Sequence, residues 1–232
     1  MIKPLQERRE AIERKSQVRE VVFGVQDGLI STMGFVAGLH GAIADNRLVL
    51  LGGLVEMVAG AFSMAAGAYL ATKAEREVIQ REVRVETERF EEEPYLAQEA
   101  LLRALEEEGL ARDKAYRVVR LFTDERHAFL KTFREKVLGV GSLEGPLPLW
   151  AATLMGLSFA AGAFVPLLPY LVFAEYTALW VAIGATSVAL FGIGVAKALL
   201  AELSWWRSGL EFLAVAMGAA GVGYLVGWLL PR

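Results

Sequence analysis

Two acidic residues lie within long apolar stretches of the chain, where an isolated charge is costly. Asp27 is one to two turns into the first stretch, Glu56 lies near the middle of the second, and Met64 follows Glu56 by eight residues. If the two carboxylates face a common path, a cation or a proton must neutralise them. The thioether of Met64 then favours a transition metal over Mg²⁺ or Ca²⁺. The alternatives are a structural hydrogen bond between helices for the carboxylates and core packing for Met64.

A second set of carboxylates lies in the charged segment that follows the second apolar stretch. Four glutamates spaced by 7, 4 and 7 residues fall on one stripe of a helix: Glu75, Glu82, Glu86 and Glu93. Glu99 lies on the next predicted helix, which we expect to fold back against the first. Carboxylate clusters without cysteine suit hard or borderline divalent cations. The alternative is a solvated charged face in which the interspersed arginines pair with the acids.

One further pair resembles a metal-binding motif. Asp124 and His127 are three residues apart, as in the carboxylate–histidine pairs of di-iron helix bundles. Such bundles need several of these pairs, and this chain has only one other histidine, His40. We therefore interpret His127 as a surface residue.

Five apolar stretches are long enough to position these residues in a membrane, because about 20 mostly apolar residues span the hydrocarbon core. They cover residues 21–44, 48–72, 149–173, 177–200 and 209–230. Continuous runs of this length favour helices over the shorter strands of a barrel. The sequence thus predicts an all-α integral membrane protein with five transmembrane helices and a cytoplasmic helical insert between helices 2 and 3.

Composition supports this division and excludes several classes of protein. The 232 residues are 55% hydrophobic, with a mean hydropathy of +0.40, yet 22% are charged. Because 31 of the 51 charged residues fall between residues 73 and 144, neither a uniform soluble globule nor a disordered chain fits. Acids and bases are evenly mixed, which argues against nucleic-acid binding. The chain has no cysteine and shows no catalytic triad, phosphate loop or cofactor fingerprint, so we do not expect an enzyme or a resident cofactor.

The distribution of Lys and Arg predicts the orientation. With the N-terminus in the cytoplasm, 22 of the 24 basic residues lie on the cytoplasmic side. The predicted organisation is a cytoplasmic tail (1–20), transmembrane helices 1–2 (21–72), a cytoplasmic metal-binding insert (73–145) and transmembrane helices 3–5 (146–232). The first apolar stretch is expected to stay as a signal anchor, in a prokaryotic cytoplasmic membrane.

The insert is predicted to be helical throughout. Its helices cover 73–92, 95–108 and 112–138, and the first continues the second transmembrane helix without a break. Pro94 ends that helix and opens the next one, and Gly109 is a stop signal. The third region is expected to break near Thr123, acting as an N-cap.

Glycines recur in the first and last transmembrane stretches, several of them four residues apart: Gly24, Gly28, Gly34, Gly38, Gly218, Gly221, Gly223 and Gly227. Small residues allow membrane helices to approach closely. We interpret them as packing positions within the bundle rather than as a dimer seam.

Three segments resemble motifs of the vacuolar iron transporter family. The run FGVQDGLISTMGFVAGL (23–39) resembles the first-span signature of that family, and VAGAFSMAAGAY (58–69) resembles its second-span motif. The glycine-rich stretch 218–227, with Tyr224, fits the last span. With the five-span layout and the position of the insert, the resemblance covers nearly the whole chain from Arg19.

The resemblance implies a homodimer in the lipid bilayer that exports Fe²⁺, and often Mn²⁺, from the cytosol in exchange for protons. It assigns metal translocation to Asp27, Glu56 and Met64, and metal binding by the insert to Glu82, Glu86 and Glu99. The insert contains no methionine, where plant members carry a pair. The alternative function is a non-transporting membrane protein whose insert senses metal or docks a partner. A mere anchor, however, has no need for carboxylates inside the membrane.

Overall fold

The protein is all-helical in the residues that the structure describes, which are 5–43, 45–123, 125–137, 139, 147–200 and 204–229. The structure is a computed structural model. The helices are α1 (Leu5–Ala42), α2 (Asn46–Glu92), α3 (Pro94–Glu107), α4 (Arg112–Thr123), α5 (Arg126–Lys136), α6 (Pro148–Val172), α7 (Glu175–Leu200) and α8 (Trp205–Leu229).

The five predicted spans are confirmed as long apolar helices: α1, α2, α6, α7 and α8. Two boundaries differ from the prediction. The helix of the first span begins well before residue 21, at Leu5, and the last helix begins at Trp205 rather than at residue 209. The last helix also includes Trp205, Trp206 and Arg207, because tryptophan and arginine are ordinary residues at the end of a span. The predicted ends at residues 44 and 230 lie outside the described residues.

The chain divides into two compact units. One contains residues 1–70 and 147–232, with all five apolar helices, and the other contains residues 71–146. Helix α2 contributes its first part to the membrane unit and continues unbroken to Glu92, as predicted from the absence of Gly and Pro.

Helix α1 lies at the centre of the membrane unit, and glycines allow its neighbours to approach closely. At Gly28 a Cβ atom would overlap the backbone of Phe159 and Ala163 in α6, and at Gly38 it would lie 2.8 Å from the carbonyl oxygen of Gly223 in α8. These contacts confirm that glycines of α1 are packing positions within the bundle. Gly218 and Gly221, by contrast, have no atoms of the described chain within 4 Å of a built Cβ.

Helix α2 is the least buried of the five apolar helices. Only 11% of its most apolar window is buried, against 22–44% for the other four. A row of apolar side chains on its surface is exposed and lines a shallow groove: Leu54, Val55, Val58, Ala59 and Phe62. This face is therefore available to lipid or to another chain.

The insert unit has its own hydrophobic core, formed between α3, α4 and α5. Leu101, Ala115 and Phe129 are fully buried within it. As predicted, Pro94 opens α3, and Gly109 follows its end with a positive φ of 95°. The prediction that Thr123 is an N-cap is wrong.

Thr123 is the last residue of α4, and Glu125 is the N-cap of α5. The hydroxyl of Thr123 donates instead to the carbonyl oxygen of Val119, at 2.9 Å. This bond uses the hydroxyl within the helix that precedes the break, which is a common alternative to capping for threonine. The break between α4 and α5 lies next to Thr123, as the sequence predicts.

Candidate functional site

Glu56 reaches from α2 to α1 and accepts a hydrogen bond on each carboxylate oxygen. The Thr32 hydroxyl donates to Oε2 at 2.5 Å, and the Ser31 hydroxyl donates to Oε1 at 3.2 Å. Thr32 is fully buried, whereas Ser31 and Glu56 are half-buried. The hydrogen bond between helices that the sequence left open as an alternative is thus present at Glu56. It also places a carboxylate inside the membrane unit.

Asp27 lies one turn before Ser31 on α1. Four residues correspond to about 6 Å along a helix axis, so Glu56 meets α1 at a level close to that of Asp27. Asp27 is half-buried, and across the described part of the chain no hydrogen bond or ion pair engages its carboxylate. The two acidic residues predicted to share a path therefore occupy neighbouring turns of the same region.

Phe159 of α6 forms an apolar wall beside Glu56. The Phe159 side chain is buried, and a Cβ atom built at Gly60 would lie 2.5 Å from its ring and 3.5 Å from Glu56 Oε1. The absence of a side chain at Gly60 leaves room for the ring between α6 and α2. The carboxylate therefore has hydroxyl donors on one side and an aromatic ring close by.

Met64 lies at a different level of α2. It is half-buried and two turns beyond Glu56, which is about 12 Å along the helix axis. Helix α6 comes close to this part of α2, since a Cβ at Gly156 would lie 3.0 Å from both the Ala61 carbonyl oxygen and the Ala65 Cβ. The contacts of the described residues do not join Met64 to the two carboxylates.

The glutamates predicted to bind metal in the insert do not converge. Glu82 is exposed, and Glu86 pairs with Arg89 at 2.8 Å. Glu99 pairs with two arginines, Arg103 and Arg112, each at 3.4 Å. Among the described residues no group of three or more His, Cys, Asp or Glu side chains is placed to hold a metal ion. The paired arginines match the charged-face alternative for Glu86 and Glu99.

Comparison with known protein families decides the classification. The profile of the VIT family matches residues 18–228, which is nearly the whole chain. The chain belongs to the VIT family. This membership agrees with the expectation that the protein is not an enzyme, because the relatives of this VIT-family chain are named as transporters.

Three relatives illustrate the similarity of this VIT-family protein to named proteins of plants and yeast. Vacuolar iron transporter 1 of Oryza sativa subsp. japonica is 35% identical over 78% of this chain and 72% of its own length. Vacuolar iron transporter 1 of Arabidopsis thaliana is 32% identical over the same shares. Protein CCC1 of Saccharomyces cerevisiae is 28% identical over 89% of this chain and 67% of its own.

Sequence reasoning missed Ser31, Thr32 and Phe159 in the site of this VIT-family protein. One signal was available, because Ser31 is four residues after Asp27 and so lies on the same helix face. The contact of Phe159 depends on how α6 packs, which periodicity does not reveal.

The two histidines differ in burial. His127 is exposed, as expected for a surface residue, and its predicted partner Asp124 lies outside the described residues. His40 is buried, with its ring edge-on to Tyr170 and Tyr176 at centroid distances of 6.2 and 6.0 Å.

Proposed function

We propose that this VIT-family protein is an iron transporter that carries Fe²⁺ out of the cytosol through its membrane unit. The observation that carries the proposal is the Glu56 carboxylate, held inside the membrane unit by two hydroxyls of α1 one turn from Asp27. An ionisable group in a membrane helix is costly and marks an ion pathway by default. We propose iron as the metal because the rice and Arabidopsis relatives are named vacuolar iron transporters.

Proton exchange follows from the same two carboxylates. Asp27 and Glu56 lie at neighbouring levels, and two negative charges in an apolar bundle need neutralisation. A divalent cation neutralises both, and so do two protons. Alternation between these states exports metal in exchange for protons. Mn²⁺, which prefers similar oxygen ligands, is the second substrate that we propose, and Met64 adds a softer ligand further along α2.

The insert collects metal on the cytoplasmic side in this scheme. Glu82, Glu86 and Glu99 are its proposed ligands, and the metal would have to draw them together, because among the described residues no three such side chains are already placed to hold an ion. The positive-inside distribution of basic residues favours the cytoplasmic side for them. The ion pairs of Glu86 and Glu99 with arginines do not prevent metal binding by these glutamates, because exposed ion pairs contribute only about 1 kcal/mol or less to stability. A divalent cation can therefore displace the arginines. The prokaryotic cytoplasmic membrane as host stays a prediction.

We also propose a homodimer that forms through the exposed apolar face of α2 defined by Leu54, Val55, Val58, Ala59 and Phe62. This helix carries Glu56 yet is the least buried of the five. A second copy would shield the carboxylate from lipid on the side that α1 and α6 leave open. The oligomer thus completes the wall of the pathway.

The alternative is a membrane-anchored metal sensor or partner-docking protein. The separate core of the insert suits that function. The position of Glu56 and Asp27 in the membrane unit does not, because sensing by the insert requires neither residue.

Transport in sealed vesicles separates the two functions. Purified protein is reconstituted in liposomes with a pH gradient, and Fe²⁺ and Mn²⁺ uptake is followed with a trapped fluorophore. We expect gradient-dependent uptake that Asp27→Asn abolishes. Asp45→Asn is the matched control, because Asp45 caps α2 outside the bundle and asparagine caps equally well. Metal binding without any uptake by folded wild-type protein would establish the sensor instead.

A further inference from the structure

The two hydrogen bonds to Glu56 are unequal. Thr32 lies 2.5 Å from Oε2 and is fully buried, whereas half-buried Ser31 lies 3.2 Å from Oε1. Short hydrogen bonds to a charged acceptor are the strong ones. Oε2 is therefore firmly held, and Oε1 is the oxygen with the weaker and more accessible partner.

The direction of these hydroxyls is unusual for helical residues. Serine and threonine within helices commonly donate to the carbonyl oxygen four residues earlier. Thr87 and Thr123 of this protein do so, to Val83 at 2.6 Å and to Val119 at 2.9 Å. Thr32 instead donates across to another helix. Its hydroxyl contributes to the position of Glu56 rather than to the local structure of α1.

A cation that binds Glu56 needs an accessible lone pair on a carboxylate oxygen that is held in place. The longer bond from half-buried Ser31 to Oε1 gives way to an approaching cation more easily than the short bond from buried Thr32 to Oε2. Ser31, the donor to Oε1, also lies one turn after Asp27 on α1. The geometry thus gives the two neighbouring hydroxyls different tasks.

We propose that Thr32 is a positioning residue that fixes Oε2 of Glu56, and that Ser31 is the exchangeable partner of Oε1, displaced when the cation binds. The inference rests on the proposed transport function. It assigns to α1 a pair of residues that set the affinity of the membrane site. Neither residue is a metal ligand in this scheme.

Four variants test the proposal in the full chain. Thr32→Val removes the hydroxyl at constant shape, Thr32→Ser keeps it, and Ser31→Ala removes the weaker donor. Thr186→Val is the matched control, because Thr186 is equally buried on α7 and its hydroxyl has no hydrogen-bond partner among the described residues. KM and maximal rate for Fe²⁺ are measured in liposomes, with the amount of folded protein in each preparation.

We expect Thr32→Val to raise KM about tenfold, the scale of one lost hydrogen bond to a charged group, with little change in maximal rate. Thr32→Ser should restore KM, and Ser31→Ala should lower KM by about twofold, because the cation then has no hydrogen bond to displace from Oε1. A loss of maximal rate alone would indicate a structural role for Thr32. Equal rises in KM for Thr32→Val and Ser31→Ala would overturn the division of tasks.

An infrared measurement keeps the test independent of transport. The carboxylate stretch of Glu56 is isolated by subtracting the spectrum of Glu56→Gln. Thr32→Val should shift this band strongly, Ser31→Ala weakly, and Thr186→Val not at all. If wild-type protein moves no metal, the proposed function fails, while the band still decides whether Thr32 holds the carboxylate. An unshifted band in Thr32→Val would refute the positioning role.

Discussion

The backbone carbonyl of Phe159 in α6 lies directly against Gly28 in α1, the residue that follows Asp27. The ring of the same Phe159 lies beside Gly60 and Glu56 of α2. One residue of α6 therefore contacts both helices that carry the membrane carboxylates. The spacing of those carboxylates depends on close helix packing as well as on hydrogen bonds.

Gly28→Ala tests this packing. The added methyl group would overlap the α6 backbone, which cannot move aside as a flexible side chain can. We expect a destabilisation of about 1–3 kcal/mol, seen as a lower Tm of the detergent-solubilised protein. Gly192→Ala in α7 is the control, because its Cβ would meet no atom within 4 Å. An equal Tm for both variants would show that α1 and α6 do not pack closely at Gly28.

Met64→Leu tests the soft ligand of the pathway. Leucine keeps the volume but removes the thioether, so Fe²⁺ should lose more affinity than Mn²⁺. We expect KM for Fe²⁺ uptake to rise by roughly tenfold and KM for Mn²⁺ to change less. Met217→Leu, at an exposed position of α8, is the control. Unaltered uptake of both metals in Met64→Leu would assign Met64 to core packing.

The exposed face of α2 gives a prediction about assembly. Val58→Trp places a bulky side chain on that face, where it disrupts contact with a second copy but is tolerated against lipid. Val188→Trp is the control, at an equally exposed site on α7. Light scattering in detergent should find two chains in wild type and Val188→Trp, and a shift to one chain in Val58→Trp. A dimer that persists in Val58→Trp would exclude this face of α2 as the dimer interface.

The insert core gives a prediction about local stability. Phe129 is fully buried among α3, α4 and α5, so Phe129→Ala should destabilise the insert by about 3–5 kcal/mol. Hydrogen exchange should show lost protection in residues 94–137, whereas the exposed substitution Tyr116→Ala should leave protection as in wild type. Full protection of the insert in Phe129→Ala would contradict the burial of Phe129 in the core of the insert.

The sequence predicted the helices well because length, hydropathy and helix breakers determine them locally. The unbroken α2, the start of α3 at Pro94 and the stop at Gly109 all follow from single residues and their neighbours. Thr123 is misassigned because its hydroxyl can either accept from a backbone N–H of the next helix, as an N-cap does, or donate to a carbonyl oxygen of its own helix. Only the structure shows that it donates to Val119.

The candidate site was predicted only in part, for a related reason. Asp27 and Glu56 stand out because charges are rare in apolar helices. Ser31 and Thr32 do not stand out, because such residues usually bond within their own helix. The pair of Glu99 with Arg112, 13 residues away, depends on how α3 and α4 fold together. The pairs of Glu86 with Arg89 and of Glu99 with Arg103 are local to one helix, and the sequence allows them as the charged-face alternative.

The most direct test measures metal and proton movement in the same vesicles. Fe²⁺ uptake and internal pH are recorded together for wild type and Glu56→Gln, with a second dye that reports pH. We predict that wild-type protein moves Fe²⁺ in one direction and protons in the other, and that Glu56→Gln moves neither. Fe²⁺ uptake by Glu56→Gln at the wild-type rate would contradict the proposal that the Glu56 carboxylate lies on the transport pathway.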